Sequence, residues 1–136
     1  MEHARNQVGV ADAGHAEYGN HPGDDRQSAI ITPLACALLG VDIEVDLTPG
    51  SRLHRLYGAP RATEHATCSY GLDPGRQAIA GRGGLQVAAT DATNEVRAVE
   101  RPEHRFFVAT LYQPQLRSSA AAPHPIFTGF LDAVGR

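Results

Sequence analysis

One short stretch of the sequence carries residue types that could bind a metal or transfer a proton. His15-Ala16-Glu17-Tyr18 is followed by His21, and imidazole and carboxylate groups are ligands that zinc and iron accept. The spacing fits no familiar helical ligand motif, and histidines are common in loops, so we predict no metal site. Glu17 stays a candidate for binding an amine or for proton transfer if burial shifts its pKa.

A second stretch places a cysteine and a histidine close together, at Glu64-His65 and Cys68. In a strand, alternate residues share a face, so Glu64, Ala66 and Cys68 lie on one face and His65 lies on the other. A Cys-His nucleophile pair within this strand is therefore unfavoured. Cys68 also lacks the electropositive surroundings that a thiolate needs, and we predict a packed or half-buried thiol.

Composition excludes several classes of protein. The chain has 136 residues, which suits one domain spanning 1–136. The net charge is −3 and all 12 basic residues are arginines. This rules out the basic field of a nucleic-acid-binding protein and any lysine-based Schiff-base or phosphate-loop chemistry. No apolar run is long enough to span a membrane, and we predict a cytoplasmic protein with no membrane partner.

The cysteine count also argues against a disulfide framework or a zinc knuckle, because there are only two, Cys36 and Cys68. Cys36 lies in the apolar stretch 34–39, which favours a buried and inert thiol.

The elements that must position these residues begin with a helix from Glu2 to Val8 that stops at Gly9. No capping residue precedes this helix, so we expect it to begin before Met1. Residues 11–28 are polar and predict a loop. An apolar segment, 29–39, follows the loop.

The middle of the chain predicts strands and short helices. Residues 41–47 alternate between apolar and acidic side chains, which predicts a half-buried strand with a solvated acidic face. Ser51 is typical of an N-cap for a short helix through Leu56. A strand over 62–72 and a short helix over 76–82 follow.

The last third predicts a strand-rich region closed by a helix. Strands at 85–90 and 95–100 form a hairpin through residues 91–94. Residues 106–112 form the most apolar strand, which we place at the centre of the sheet. An amphipathic helix over 125–134 begins near His124 or Pro123, and its apolar face consists of Ile126, Phe127, Phe130, Leu131 and Val134.

The order of these blocks resembles the C-terminal half of a class I glutamine amidotransferase domain, in the branch of CTP synthase C-terminal region-related proteins. The resemblance covers nearly the whole chain, and the blocks that carry it are 2–13, 50–60, 64–72, 105–115 and 124–131. It implies an α/β, flavodoxin-like three-layer fold with a hairpin-rich mixed sheet. It implies no cofactor.

The resemblance also implies where a Cys-His-Glu glutaminase triad would lie. The nucleophile position falls before Met1, so the cysteine is absent. Gln113 occupies the histidine position and Gln115 the glutamate position, and neutral amides cannot act as a base or a charged orienter. Ser69 replaces an arginine that holds the carboxylate of glutamine, whereas Glu17 matches the glutamate that grips its amino group.

Family geometry further implies a polar pocket that could bind a small amine-bearing ligand. Its expected lining residues are Glu17, Ser69, Tyr70, Tyr112 and Gln113.

Three functions stay open at this point. The leading one is a degenerate amidotransferase-like protein that binds a small molecule or serves as a partner subunit in biosynthesis. The second is a repurposed enzyme that catalyses a proton transfer or rearrangement through Glu17, Tyr70 and Gln113. The third is a truncated CTP synthase-like glutaminase. Because the resemblance places about half of the sheet upstream of Met1, we expect a homodimer or a partner subunit to cover an exposed sheet face.

Overall fold

The computed structural model describes residues 1–18 and 29–135. The second part of the predicted 11–28 loop, with His21, and the side chain of Cys36 lie outside the described residues. The first part of that loop contains a two-residue strand, β1 (Gly14–His15), and a 3-10 turn (Ala16–Tyr18). No helix in the described ranges is long and apolar enough to cross a membrane.

The predicted N-terminal helix is confirmed and is shorter than expected. Helix α1 spans Glu2–Asn6, and Ala4 is its buried residue. The chain then turns at Gly9, whose φ of +80° suits a residue without a Cβ.

The predicted apolar segment and the acidic strand that follows it form one long strand. Strand β2 spans Ala29–Leu47, and its register against β3 (Arg61–Leu72) shifts between Pro33 and Val41. A proline cannot donate to the ladder, which accounts for a break at this point. The predicted alternation is confirmed further along, because Val45 and Leu47 are buried while Asp42 and Glu44 are exposed.

The described strands form one mixed sheet of six strands. In spatial order it contains β1, β2, β4 (Gln86–Thr90), β5 (Val96–Glu100) and β6 (Val108–Thr110), and β3 pairs with β2 as a branch outside this path. The pair β1–β2 is parallel, and the other pairs are antiparallel. The predicted hairpin is confirmed as β4 (Gln86–Thr90) and β5 (Val96–Glu100). A 3-10 helix over Pro74–Gly81 replaces the predicted helix over 76–82.

The prediction of a central strand over 106–112 was wrong. Strand β6 spans only Val108–Thr110 and pairs with β5 alone, so it lies at an edge of the described sheet. Of the apolar residues that precede β6, Phe106 packs edge-on against Phe130, with ring centroids 5.6 Å apart. Phe107 is 39% exposed.

Two helices cover one face of the sheet. Helix α2 spans Arg52–Tyr57, and the Ser51 hydroxyl caps it by accepting a hydrogen bond from the His54 amide, which confirms the predicted N-cap. Helix α3 spans Pro125–Val134, as predicted. The main core cluster joins these helices to the sheet through Val45, Leu47, Leu53, Ala66, Ala98, Tyr112 and Ile126.

The opposite face is only partly covered. Alternate residues of β5 point to opposite faces, so Arg97 and Val99 face away from Ala98 and the main core. Helix α1 and the 3-10 helix contribute a smaller cluster there, with Ala4 and Ile79. An apolar groove of about 300 Å³ remains, lined among others by Met1, Ile31, Leu85, Arg97, Val99 and Leu111.

Candidate functional site

Four polar side chains form a hydrogen-bonded network inside the main core. The Tyr57 hydroxyl donates to Glu64 Oε1 at 2.6 Å, and His124 Nε2 lies 3.0 Å from the same oxygen. The Tyr112 hydroxyl lies 3.2 Å from that of Tyr57. Glu64, Tyr112 and His124 are each at most 4% exposed. We call these four residues the buried network.

The position of each proton in the buried network follows from its partners. His124 Nδ1 accepts a hydrogen bond from the Ile126 amide at 3.2 Å, so a neutral His124 carries its proton on Nε2. Nε2 is therefore a donor, and both Glu64 Oε1, at 3.0 Å, and the Tyr57 hydroxyl oxygen, at 3.1 Å, lie within its reach. Tyr57 has one proton, which Glu64 accepts, so Tyr112 must donate to the oxygen of Tyr57.

Burial has a direct electrostatic effect on the two phenols. It raises the pKa of Tyr57 above its ordinary value, and the neighbouring Tyr112 and Glu64 raise it further. Burial also raises the pKa of Tyr112, against the opposing effect of its hydrogen bond with Tyr57. Both hydroxyls stay protonated at neutral pH and act as hydrogen-bond donors.

The buried network joins three elements to the segment of chain that precedes Gln113. Tyr57 ends α2, Glu64 lies on β3, and His124 is the N-cap of α3. Tyr112 directly precedes Gln113, so the network anchors the backbone at the position that the resemblance equates with a triad histidine.

Gln113 is held against the free edge of β3. Its backbone amide donates to the His65 carbonyl at 2.9 Å, and its side-chain Oε1 accepts from the Thr67 amide at 2.8 Å. Since a backbone N–H needs an acceptor, this contact fixes the orientation of the carboxamide: Oε1 faces the strand and the Nε2 donors face away from Thr67. Gln115 follows in an exposed 3-10 turn (Pro114–Arg117).

The remaining pocket candidates are Glu17, Ser69 and Tyr70. The exposed Glu17 donates its backbone amide to His15 Nδ1 at 3.1 Å, and the His15 ring lies 5.0 Å from that of Tyr70. Ser69 is half-buried on β3. Among the described residues, no hydrogen bond joins Glu17 or Tyr70 to Gln113. The amine-binding role of Glu17 stays a prediction.

Tyr112 requires a correction. We expected it to line a ligand pocket, but its side chain is 2% exposed and belongs to the main core. Its hydroxyl is used within the buried network. The aromatic ring that follows an apolar strand therefore packs inward instead of facing a ligand.

Sequence reasoning missed Glu64 and His124 as partners. The signal for Glu64 was present, because the period of the strand puts it on the same face as the buried Ala66. An acid on a buried face needs a partner. His124 is 60 positions away in sequence, and no local pattern links the two. Cys68 is half-buried and free, as predicted.

A second buried carboxylate supports α2. Glu100, on β5, is 2% exposed. Its two oxygens accept hydrogen bonds from the backbone amides of Arg52 and Leu53 at 2.8 and 3.1 Å. The first amides of a helix have no acceptor within the helix itself, and a negative charge stabilises that end of the helix. Glu100 thus positions the helix that carries Tyr57.

An arginine that lines the groove on the other face has one unsatisfied polar atom. Arg97 pairs with Asp91 at 2.6 Å and with Glu95 at 2.7 Å. Its Nη1 is buried and has no hydrogen-bond partner among the described residues. Asp91 keeps its charge: burial opposes ionisation, but the hydrogen bonds from Thr93 and Arg97 outweigh it and lower the pKa of Asp91.

Solved structures identify the fold. Over its whole length the chain matches the glutaminase domain of a Trypanosoma brucei CTPS with bound acivicin, with a TM-score of 0.85 and 23% identity, and it covers 56% of that chain. A GMP synthase component from Thermoplasma acidophilum matches 77% of the chain with a TM-score of 0.57 and 14% identity, and 48% of that chain is covered. The expected fold is confirmed: the chain has the α/β fold of class I glutamine amidotransferase domains.

Curated sequences narrow the family. The CTP synthases of Caldivirga maquilingensis and Archaeoglobus fulgidus are 33% and 34% identical over 98% of the chain. The chain is similar to the class I glutamine amidotransferase part of CTP synthases, and it spans about a quarter of the length of these relatives, 26% of each. No protein-family profile matches it.

Proposed function

We propose that this chain forms part of a glutaminase-type domain that does not hydrolyse glutamine by the Cys-His-Glu mechanism. The observation that carries the proposal is the side chain at position 113. In the family a histidine there accepts the proton of the nucleophile and is oriented by a glutamate two residues later. Gln113 and Gln115 are neutral amides that can do neither.

The contacts of Gln113 support the same proposal. Its only good acceptor atom, Oε1, already accepts from the Thr67 amide. A nucleophile placed beside it would meet N–H donors instead of a base. A domain with this arrangement can bind a small molecule or another polypeptide, and its relationship to CTP synthases suggests a place beside a biosynthetic enzyme.

The open groove supports a role as a partner subunit. About 300 Å³ of apolar groove lies on one sheet face next to β6, whose outer edge has no paired strand among the described residues. The matched glutaminase domain contains further chain beyond the 56% covered here. We propose that a polypeptide with the fold of that further part covers the groove.

Arg97 indicates the chemistry of this contact. With Asp91 and Glu95 beside it, the local charge is already negative, so its buried Nη1 favours a neutral carbonyl oxygen over an anion. A backbone carbonyl of the covering polypeptide is the group that fits.

Coexpression tests both parts of the proposal. The chain would be produced with the part of the Archaeoglobus fulgidus glutaminase domain that precedes the matched region. Light scattering would give the mass of the complex, and ammonia release from L-glutamine would give its activity. We expect a one-to-one complex without ammonia above the buffer level. Sustained ammonia release would overturn the non-hydrolysing assignment.

A matched pair of variants tests the groove. Ala109 lies on β6 and lines the groove, so Ala109→Arg should prevent the complex, whereas Ala120→Arg in an exposed loop should not. A stable homodimer that excludes the added polypeptide would contradict the partner assignment and favour a second copy as the cover.

A further inference from the structure

A histidine and a carboxylate form a pair on the solvent side of the sheet, next to Gln113. Asp42 on β2 and His65 on β3 are directly opposed in the antiparallel register. His65 Nδ1 lies 2.9 Å from Asp42 Oδ1. Because a carboxylate only accepts, Nδ1 must be the donor, and the neutral ring then has its lone pair on Nε2.

Other contacts hold this pair in place. Arg117 donates from Nη2 to the second oxygen of Asp42. The hydrogen bond from His65, with the charge of Arg117, lowers the pKa of Asp42. Asp42 is therefore ionised at neutral pH and can orient the imidazole, as the carboxylate does in other histidine-containing sites.

The His65 ring is partly exposed to solvent. The His65 side chain is 29% exposed, and no described residue forms a hydrogen bond with its Nε2. Gln113 lies alongside, because its backbone amide donates to the His65 carbonyl and its carboxamide accepts from the Thr67 amide. The surface thus combines an oriented imidazole with the carboxamide of a residue whose backbone contacts the same strand.

The neighbouring ion pairs on the same face differ in kind. Arg61 pairs with Asp46 at 2.7 Å and approaches Glu44 at 4.0 Å. Both are permanently charged, exposed pairs, which contribute little beyond solubility. Only the Asp42–His65 pair among them contains an imidazole, whose neutral form has a nitrogen lone pair that can accept a proton.

We propose that His65, oriented by Asp42, is a general base that removes a proton from the carbon next to a carbonyl group of a small molecule. The C–H bond breaks and its electron pair forms the enolate. The proton moves to His65 Nε2, and the enolate oxygen accepts from the side-chain Nε2 of Gln113. Return of the proton to carbon restores the ligand or isomerises it, so no oxidant or other reactant is consumed.

This activity is separate from the proposed glutaminase-type role, because it requires neither a Cys-His-Glu triad nor the covering polypeptide. The test measures exchange of the pyruvate methyl protons for deuterium in D₂O by ¹H NMR, with the chain alone. General base catalysis typically contributes about 10²–10⁴-fold. We expect the chain to exceed an equal concentration of imidazole by about 10²-fold.

Three variants make the test specific. His65→Gln should reduce exchange to the imidazole level, and Asp42→Asn should remove most of the excess over imidazole, because the ring loses its orienting carboxylate. His104→Gln is the matched control, since His104 is also exposed and its Nδ1 contacts the Phe106 carbonyl at 3.0 Å, without a carboxylate. It should leave exchange unchanged.

The proposal fails if the chain does not exceed imidazole, or if His65→Gln and His104→Gln behave alike. Circular dichroism of each variant verifies that the fold is retained. Because Asp42 and His65 are on the solvent side of the β2–β3 pair, we expect both variants to fold.

Discussion

The buried network makes a quantitative prediction about stability. We consider three substitutions that remove successive hydrogen bonds: Tyr112→Phe, Tyr57→Phe and His124→Ala. Tyr112 donates only to a neutral hydroxyl, Tyr57 donates to a carboxylate at 2.6 Å, and His124 both pairs with that carboxylate and caps α3. The expected cost therefore rises in this order.

The magnitudes follow from the partners that each substitution leaves behind. Losing a hydrogen bond between neutral groups costs about 0.5–1.5 kcal/mol, and losing one to a charged group costs about 1.5–3 kcal/mol. These are the expectations for Tyr112→Phe and Tyr57→Phe. For His124→Ala, losing the hydrogen bond to the charged Glu64 costs about 1.5–3 kcal/mol, and losing an N-cap adds about 1 kcal/mol.

Urea denaturation followed by circular dichroism at pH 7 would measure these costs. His124→Asn separates the two contributions of the histidine, because asparagine is a good N-cap but is too short to replace the ring at Glu64. It should recover about 1 kcal/mol relative to His124→Ala. If Tyr112→Phe costs as much as Tyr57→Phe, or if His124→Ala costs less than about 1.5 kcal/mol, the assigned proton positions are incorrect.

Two further predictions concern the other buried acids. Glu100→Gln puts an amide N–H against a helix N–H of Arg52 or Leu53, so it should lower the free energy of unfolding by about 2 kcal/mol in the same urea assay; an unchanged urea midpoint would contradict the capping role. The pKa of Asp91 is lowered on folding, so its charge stabilises the fold above the unfolded value of about 3.9 and this contribution is lost as the pH falls through the folded value. The stability difference between wild type and Asp91→Asn should therefore shrink below about pH 4, and a pH-independent difference would refute the argument.

The sequence predicts most elements of the fold because their signals are local. The alternation over 41–47, the N-cap at Ser51 and the apolar period over 125–134 each depend on neighbouring residues. The edge position of β6 could not be predicted in this way. The hydrophobicity of a residue indicates that it packs against something, but not which element covers it. Residues 106–107 contact α3 and loops instead of two flanking strands.

The site was predicted in part, for a similar reason. The resemblance places Gln113 at the triad position, and the structure gives its carboxamide a definite backbone partner in Thr67. The partnership of Glu64 with His124 depends on the approach of β3 and α3, which no local pattern encodes. The pair of Asp42 and His65 likewise depends on strand register, and a shift of one residue would separate the two side chains.

The most direct test of the proposed function compares two versions of the coexpressed complex in one assay. One contains the native chain and the other contains Gln113→His with Gln115→Glu, while the two corresponding parts of the Archaeoglobus fulgidus relative serve as the positive control. Ammonia release from L-glutamine is measured for each. We predict that the native complex stays at the buffer level and that the double variant exceeds it. Equal rates above the buffer level for the native and variant complexes would contradict the proposal that this chain has lost glutamine hydrolysis.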